Sequence, residues 1–133
     1  MAQTSLWALQ VALYERLSSD AKLNEVITGV YDEVKKDAVF PYVTYDSPNV
    51  NPFDTKTSTG ENITFVIHCW SRYSGNKEAM EILNLILQAI STPLELSGGF
   101  SMQKQGREQI QVITDADGTT RHGILRVRFY VNN

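Results

Sequence analysis

The stretch ENITFVIHCW (61–70), followed by KEAMEILNLILQAIS (77–91), decides the fold. In the first, Ile63, Phe65, Ile67 and Cys69 alternate with Thr64, Val66, His68 and Trp70. A period of two places the sets on opposite faces of a strand. Bulk on both sides predicts a central strand, covered at least partly on each face. In the second, Ala79, Ile82, Leu83, Ile86, Leu87 and Ile90 recur at helical spacing and form one apolar stripe. Pro93 stops that helix, and Ser74 or Asn76 is its expected cap.

Upstream, Leu6, Leu9, Leu13 and Leu17 make a second helical stripe over residues 5–17, with Thr4 or Ser5 as cap. Trp7, Val11 and Tyr14 widen its apolar surface, either as a broad core face or as surface that meets another chain. Ser18-Ser19-Asp20 breaks this helix and caps a short one, Ala21–Ile27, which Gly29 ends. Val30-Tyr31 begins an extended piece, and FPYVTY (40–45) reads as a strand entered through proline. SPNVNPFDTKTSTG (47–60) reads as a long loop or hairpin arm, in which Phe53 packs back on its own domain or anchors on a partner.

Downstream, Leu94-Glu95-Leu96 reads as a brief strand before a Ser97-Gly98-Gly99 turn. Met102–Thr114 reads as a strand with Gly106 as candidate bulge or twist point. Asp115-Ala116-Asp117-Gly118 is a hairpin turn leading to a last strand over 124–131. There Leu125, Val127, Phe129 and Val131 face one way, and Arg126, Arg128 and Tyr130 the other. The order predicts an α+β fold: one domain over 1–133, with a mostly antiparallel sheet and two main helices packed on it.

The 133 residues suffice for one domain with a core and are too few for two. The net charge of -3 makes the chain a poor candidate for wrapping duplex DNA, which rewards cation–phosphate contacts. Charge is uneven: residues from 101 onward sum to +2 and the remainder to -5. One cysteine, Cys69, excludes an intrachain disulfide framework and a cysteine-cluster zinc site. The N-terminus has no basic region followed by an apolar run, and no apolar run approaches membrane-spanning length. The expectation is a soluble domain of a reducing compartment.

Reactive constellations are scarce. His68 and His122 are the only neutral-pH acid–base candidates. His68 and Cys69, adjacent on a strand, point to opposite faces and cannot form a nucleophile–base pair locally. Both histidines read as structural or surface residues. Asp115-x-Asp117-Gly118 resembles the opening of a calcium loop but lacks the later ligands, so turn chemistry explains it. Ser97-Gly98-Gly99 lacks the lysine and helix of a phosphate cradle. Arg126 and Arg128, with Arg121 nearby, suggest a basic ridge. It reads as a solvated face, as ion pairs to an acidic neighbouring subunit, or as weak contact with nucleic acid. No cofactor, metal or catalytic residue is expected.

VYDEV (30–34) with FPYVTYD (40–46), HCWSRYSGNKEAMEIL (68–83), LSGG (96–99) and DADGTTRHGILRVRFYV (115–131), taken in this order and spacing, resemble the tail-completion, or tail-terminator, proteins of long-tailed, siphovirus-like bacteriophages. The 47–60 stretch carries no matching motif. The resemblance implies a structural virion protein without catalysis, assembled in the host cytoplasm into a ring, usually a homo-hexamer. That ring caps the head-proximal end of the tail tube, ends tube polymerisation and offers a docking face to the head-completion, or stopper, protein. DNA passes through its lumen without specific binding, and no membrane is involved. On this reading Trp7, Tyr14, Phe53, Trp70, Tyr73, Arg126, Arg128 and Tyr130 are candidate interface residues. The 47–60 segment projects axially or into a neighbour. The alternatives are another ring protein of the neck or head-completion region, a small enzyme or ligand-binding domain using His68 or His122, and a host regulatory domain with a basic strand face.

Overall fold

The computed structural model describes residues 3–34 and 36–132; Met1, Ala2, Lys35 and Asn133 of the expected domain lie outside them. The elements run α1 (Leu6–Ser19), α2 (Ala21–Val26), β1 (Val30–Tyr31), β2 (Tyr42–Pro52), β3 (Gly60–Ser71), α3 (Lys77–Ala89), β4 (Ser101–Thr114) and β5 (Arg121–Asn132). The strands form a five-stranded sheet in the order β1-β2-β3-β5-β4. Its pairings are antiparallel except β1 with β2. The α+β architecture and the central place of β3 follow the alternation in 61–70.

One sheet face is the core. Val43 and Tyr45 of β2, Ile63, Phe65, Ile67 and Cys69 of β3, and Leu125, Val127, Phe129 and Val131 of β5 are buried there. They pack with Leu9, Leu13 and Leu17 of α1, Leu23 of α2, and Ala79, Ile82, Leu83 and Ile86 of α3. The helices lie side by side over the sheet, α1 against β1 and α3 against β5, β3 and β4. None of the described helices is long and apolar enough to cross a membrane.

The helix ends follow expectation in part. Asp20 caps α2 by accepting from the Leu23 N–H at 2.9 Å. At α1 the Thr4 hydroxyl accepts from the Leu6 N–H at 3.3 Å, whereas Ser5 caps nothing with its side chain. It is buried, and its N–H and hydroxyl both donate to Glu61 at 2.7 Å, tying the helix to the start of β3. Asn76 precedes α3 without a capping bond, because its side-chain oxygen accepts from Arg121. Gly29 does not close α2: Ile27 sits at the cap, and the Gly29 carbonyl accepts from Val43.

Two strand details also differ. Residues 94–96 form no strand; Leu94 is buried, and its N–H donates to the Gln105 side chain. Gly106 is not a bulge. The register shifts fall on either side of it, between Met102 and Lys104 and between Arg107 and Gln109. Residues 47–60 form the hairpin arm of the two expected alternatives: β2 continues to Pro52, 53–59 are the connecting loop, and β3 begins at Gly60. A register shift between Asp46 and Asn49, with Ser47 at a φ of 51°, interrupts β2 at the base of this arm.

Candidate functional site

Among the described residues, no helix covers the second sheet face. Alternation from the core residues puts Thr44 and Asp46 of β2, Thr64, Val66, His68 and Trp70 of β3, and His122, Ile124, Arg126, Arg128 and Tyr130 of β5 on this open side. The β3–β5 register sets Trp70 opposite His122 and His68 opposite Ile124, so the two histidines meet diagonally. His68 Nδ1 lies 2.6 Å from His122 Nε2, and its Nε2 lies 2.9 Å from Asp46 Oδ1. Trp70 stacks on the His122 ring with centroids 3.8 Å apart, and its indole N–H donates to Thr44.

One proton is shared between the two facing nitrogens, so they make a single hydrogen bond. Burial pushes the His122 pKa down, and the neighbouring His68 lowers it further against the opposing pull of Asp115 and Asp46. A histidine whose folded pKa is lowered binds its proton more readily when unfolded. Its contribution to stability is complete above the ordinary value near 6.5 and falls as the pH drops below it. The melting temperature should therefore decline between pH 7.5 and 5.5, and His122→Asn should flatten that decline. An unchanged slope in the variant refutes the assignment.

The pair does not assemble a nucleophilic centre. Cys69 is buried on the core face, its thiol donates to the Ala79 carbonyl, and burial pushes its pKa up to about 12. Among the described residues, no group of three or more His, Cys, Asp or Glu is arranged to hold a metal ion. The calcium-like turn is closed on itself: Asp117 accepts from the Thr119 and Thr120 N–H groups and the Thr120 hydroxyl. Those bonds hold its carboxyl down to about 2.

Arg126 and Arg128 share the open face as the sequence indicates, in a polar groove with Asp46, Asn49, Thr64 and His68. They do not form a continuous ridge. Arg128 is paired with Glu108 at 2.6 Å, and Arg121 lies on the opposite, helix-bearing face beside Asn76. Phe53 at the arm tip packs on Tyr130, with centroids 5.1 Å apart, yet stays half exposed. Tyr73, in the turn after β3, is also half exposed.

Trp7 and Tyr14 lie elsewhere, on the outer side of α1, 71% and 44% exposed. With Val11, and with Tyr45 beneath, they line an apolar hollow edged by Gln10, Glu15 and Asp32. The eight interface candidates thus divide among the open face, the arm tip, the turn after β3 and this hollow. The histidine contact escaped the sequence because it depends on a register between strands 54 positions apart. Met80, Ile110 and Ile113 are further exposed apolar side chains. Met80 was legible as a residue off the α3 stripe.

The family model described as "Tail completion protein gp17" matches residues 11–132. The tail completion protein gp17 of Bacillus phage SPP1 is 40% identical over 126 residues, covering 95% of this chain and 93% of that protein. A solved structure of bacteriophage SPP1 gp17 is similar with a TM-score of 0.65 and 38% identity, covering 99% of this chain and 98% of that one. A chain in the virion of a native gene transfer agent particle shares the fold, with a TM-score of 0.88 at 24% identity, over 99% of this chain and all of that one. A match along nearly the whole length, by sequence and by fold, places this chain in the gp17 family of phage tail completion proteins.

Proposed function

We propose that this chain is a structural virion protein that works as a ring, a homo-hexamer, on the head-proximal end of the tail tube. The ring halts tube polymerisation, presents its other side to the head-completion protein, and leaves a lumen through which DNA slides. Assembly takes place in the host cytoplasm. The role requires surfaces and no reactive centre. The observation that carries it, beside family membership, is the amount of apolar surface left bare. Trp7, Tyr14, Phe53, Tyr73, Met80 and Ile110 are all exposed on a 15.0 kDa domain. Trp7 and Tyr14 line one hollow and Met80 and Ile110 another; contiguous exposed apolar patches mark interaction sites, and interfaces are enriched in Trp, Tyr, Phe and Met.

The test is growth of tail tubes from purified tube protein with and without this chain. The expected result is arrested growth, with a particle of about 90 kDa, six times the chain mass, seated on tube ends. Unaffected growth together with no association with tubes overturns the reading.

The hairpin arm gives a finer prediction. Its tip, residues 53–59, carries its own turn bonds, including Thr55 N–H to the Ser58 carbonyl at 2.8 Å. Replacing 54–59 with Asn-Gly closes the hairpin between Phe53 and Gly60, where the Phe53 N–H already donates to the Gly60 carbonyl, without touching the core. The variant should melt within a few degrees of the parent yet cap tubes poorly. Normal capping by it removes the arm from the interface.

A further inference from the structure

The helix-bearing side of the sheet ends in two unlike patches. At the β1 edge lies the hollow of Trp7, Val11 and Tyr14, whose charged edge residues are Glu15 and Asp32. At the β4 edge, Met80 and Leu83 of α3 meet Ile110 and Val112 of β4 in a second apolar hollow, with Asn76 and Gln111. Arg107 and Arg121 stand on the same face of the sheet as Ile110: they pair across the strands with Val127 and Thr114, and Arg121 bonds Asn76. One patch is therefore apolar with an acidic edge, the other apolar with a basic one.

Their placement follows from topology. The sheet order puts β1 and β4 at opposite ends, with α1 against β1 and α3 against β4. Because the patches sit at opposite edges, one copy cannot offer both to the same neighbour through a two-fold axis. The contact they can make is head to tail, and repeated head-to-tail contacts close into a ring or run on as a filament. β4 also has a strand partner on one side only, and Ile110 on it is 43% exposed. A long bare edge strand of this kind is one that proteins ordinarily cover.

The geometry points to a second copy of this chain as the occupant of each patch. Trp7 and Tyr14 of one subunit pack on Met80 and Ile110 of the next, while Glu15 and Asp32 face Arg107 and Arg121 across the joint. A contact of standard size takes about 800 Å² from each partner. Two contacts per subunit then cover roughly a fifth of the 7773 Å² of this chain, which leaves the open sheet face and the arm for other components. The inference rests on the ring reading above and specifies its joint.

Two variants, each blind on one patch, test it. Trp7→Asp spoils the acidic-edged patch and Ile110→Asp the basic-edged one. Both side chains are exposed, so each variant should keep the parental circular dichroism and melting temperature. Mass photometry should show a ring for the parent and monomers of 15.0 kDa for either variant alone. An equimolar mixture should give dimers of about 30 kDa and nothing larger, because one intact pairing of unlike patches remains. The same three samples are read on tube ends if the parent assembles only there. Rings that survive both substitutions overturn the joint and leave the ring reading standing. Loss of assembly by one variant alone, or a mixture that stays monomeric, overturns the pairing. A parent that never self-associates, free or on tubes, overturns the ring reading and the joint with it.

Discussion

Phe129→Ala should cost about 4 kcal/mol of stability, the middle of the range for deleting a fully buried aromatic ring. Phe129 has no exposed surface and meets Phe65 edge to face with ring centroids 6.4 Å apart. Its strand lies between β3 and β4 and pairs with both, so the cavity opens where the sheet is least able to collapse around it. With stabilities of small domains near 5–15 kcal/mol, such a loss leaves a marginal protein, and the melting temperature should fall by roughly 15 °C. Urea denaturation of the variant measures the loss. Phe53→Ala is the contrast: that ring touches Tyr130 but is 50% exposed, so its removal should cost under about 1 kcal/mol. Equal losses for the two would mean that burial does not rank these rings.

The difference between those two phenylalanines marks what a sequence can tell. Ile63, Phe65, Ile67 and Cys69, and later Leu125, Val127, Phe129 and Val131, alternate cleanly because one sheet face is buried under helices. That pattern is local, and it predicted both strands and their inward faces. β4 is the opposite case. Its residues 102–114 alternate only loosely, and the two register shifts explain why: each adds a residue and turns the side chains over. Met102, Gln105, Arg107, Ile110 and Val112 therefore share the helix face although their spacing is irregular. No local pattern could give that.

Pairings across the sheet were hidden for the same reason. That Ser5 spends its hydrogen bonds on Glu61, and that His68 reaches His122, are facts of strand order rather than of neighbouring residues. The charge division was partly legible. The excess of basic residues after position 101 includes Arg107 and Arg121 of the β4-edge patch, and the acidic remainder includes Glu15 and Asp32 of the other. The sequence shows the two signs apart; only the fold shows that two of each sign rim apolar hollows at opposite edges of one layer.

Gly123→Val should destabilise the protein by about 3 kcal/mol, through crowding rather than loss. A Cβ at this position overlaps the Cys69 sulfur and comes within 3.0 Å of Leu83 Cδ1. Both neighbours are buried, and neither is a loose side-chain end in solvent. The glycine is therefore what lets α3 lie close on β5. The smaller Gly123→Ala should cost about 2 kcal/mol, and the cause can be isolated by pairing it with Cys69→Ala. If the sulfur is the obstacle, the double variant should be more stable than the two single losses predict, by at least about 1 kcal/mol. Strict additivity would place the cost in the backbone instead. Leu83 gives the substitution a second consequence, since the same side chain lines the hollow with Met80 and Ile110. Lifting α3 off the sheet moves Met80 relative to β4, so Gly123→Ala should weaken self-association well below its melting temperature. Mass photometry at 20 °C, where the variant remains folded, separates that loss of the joint from unfolding.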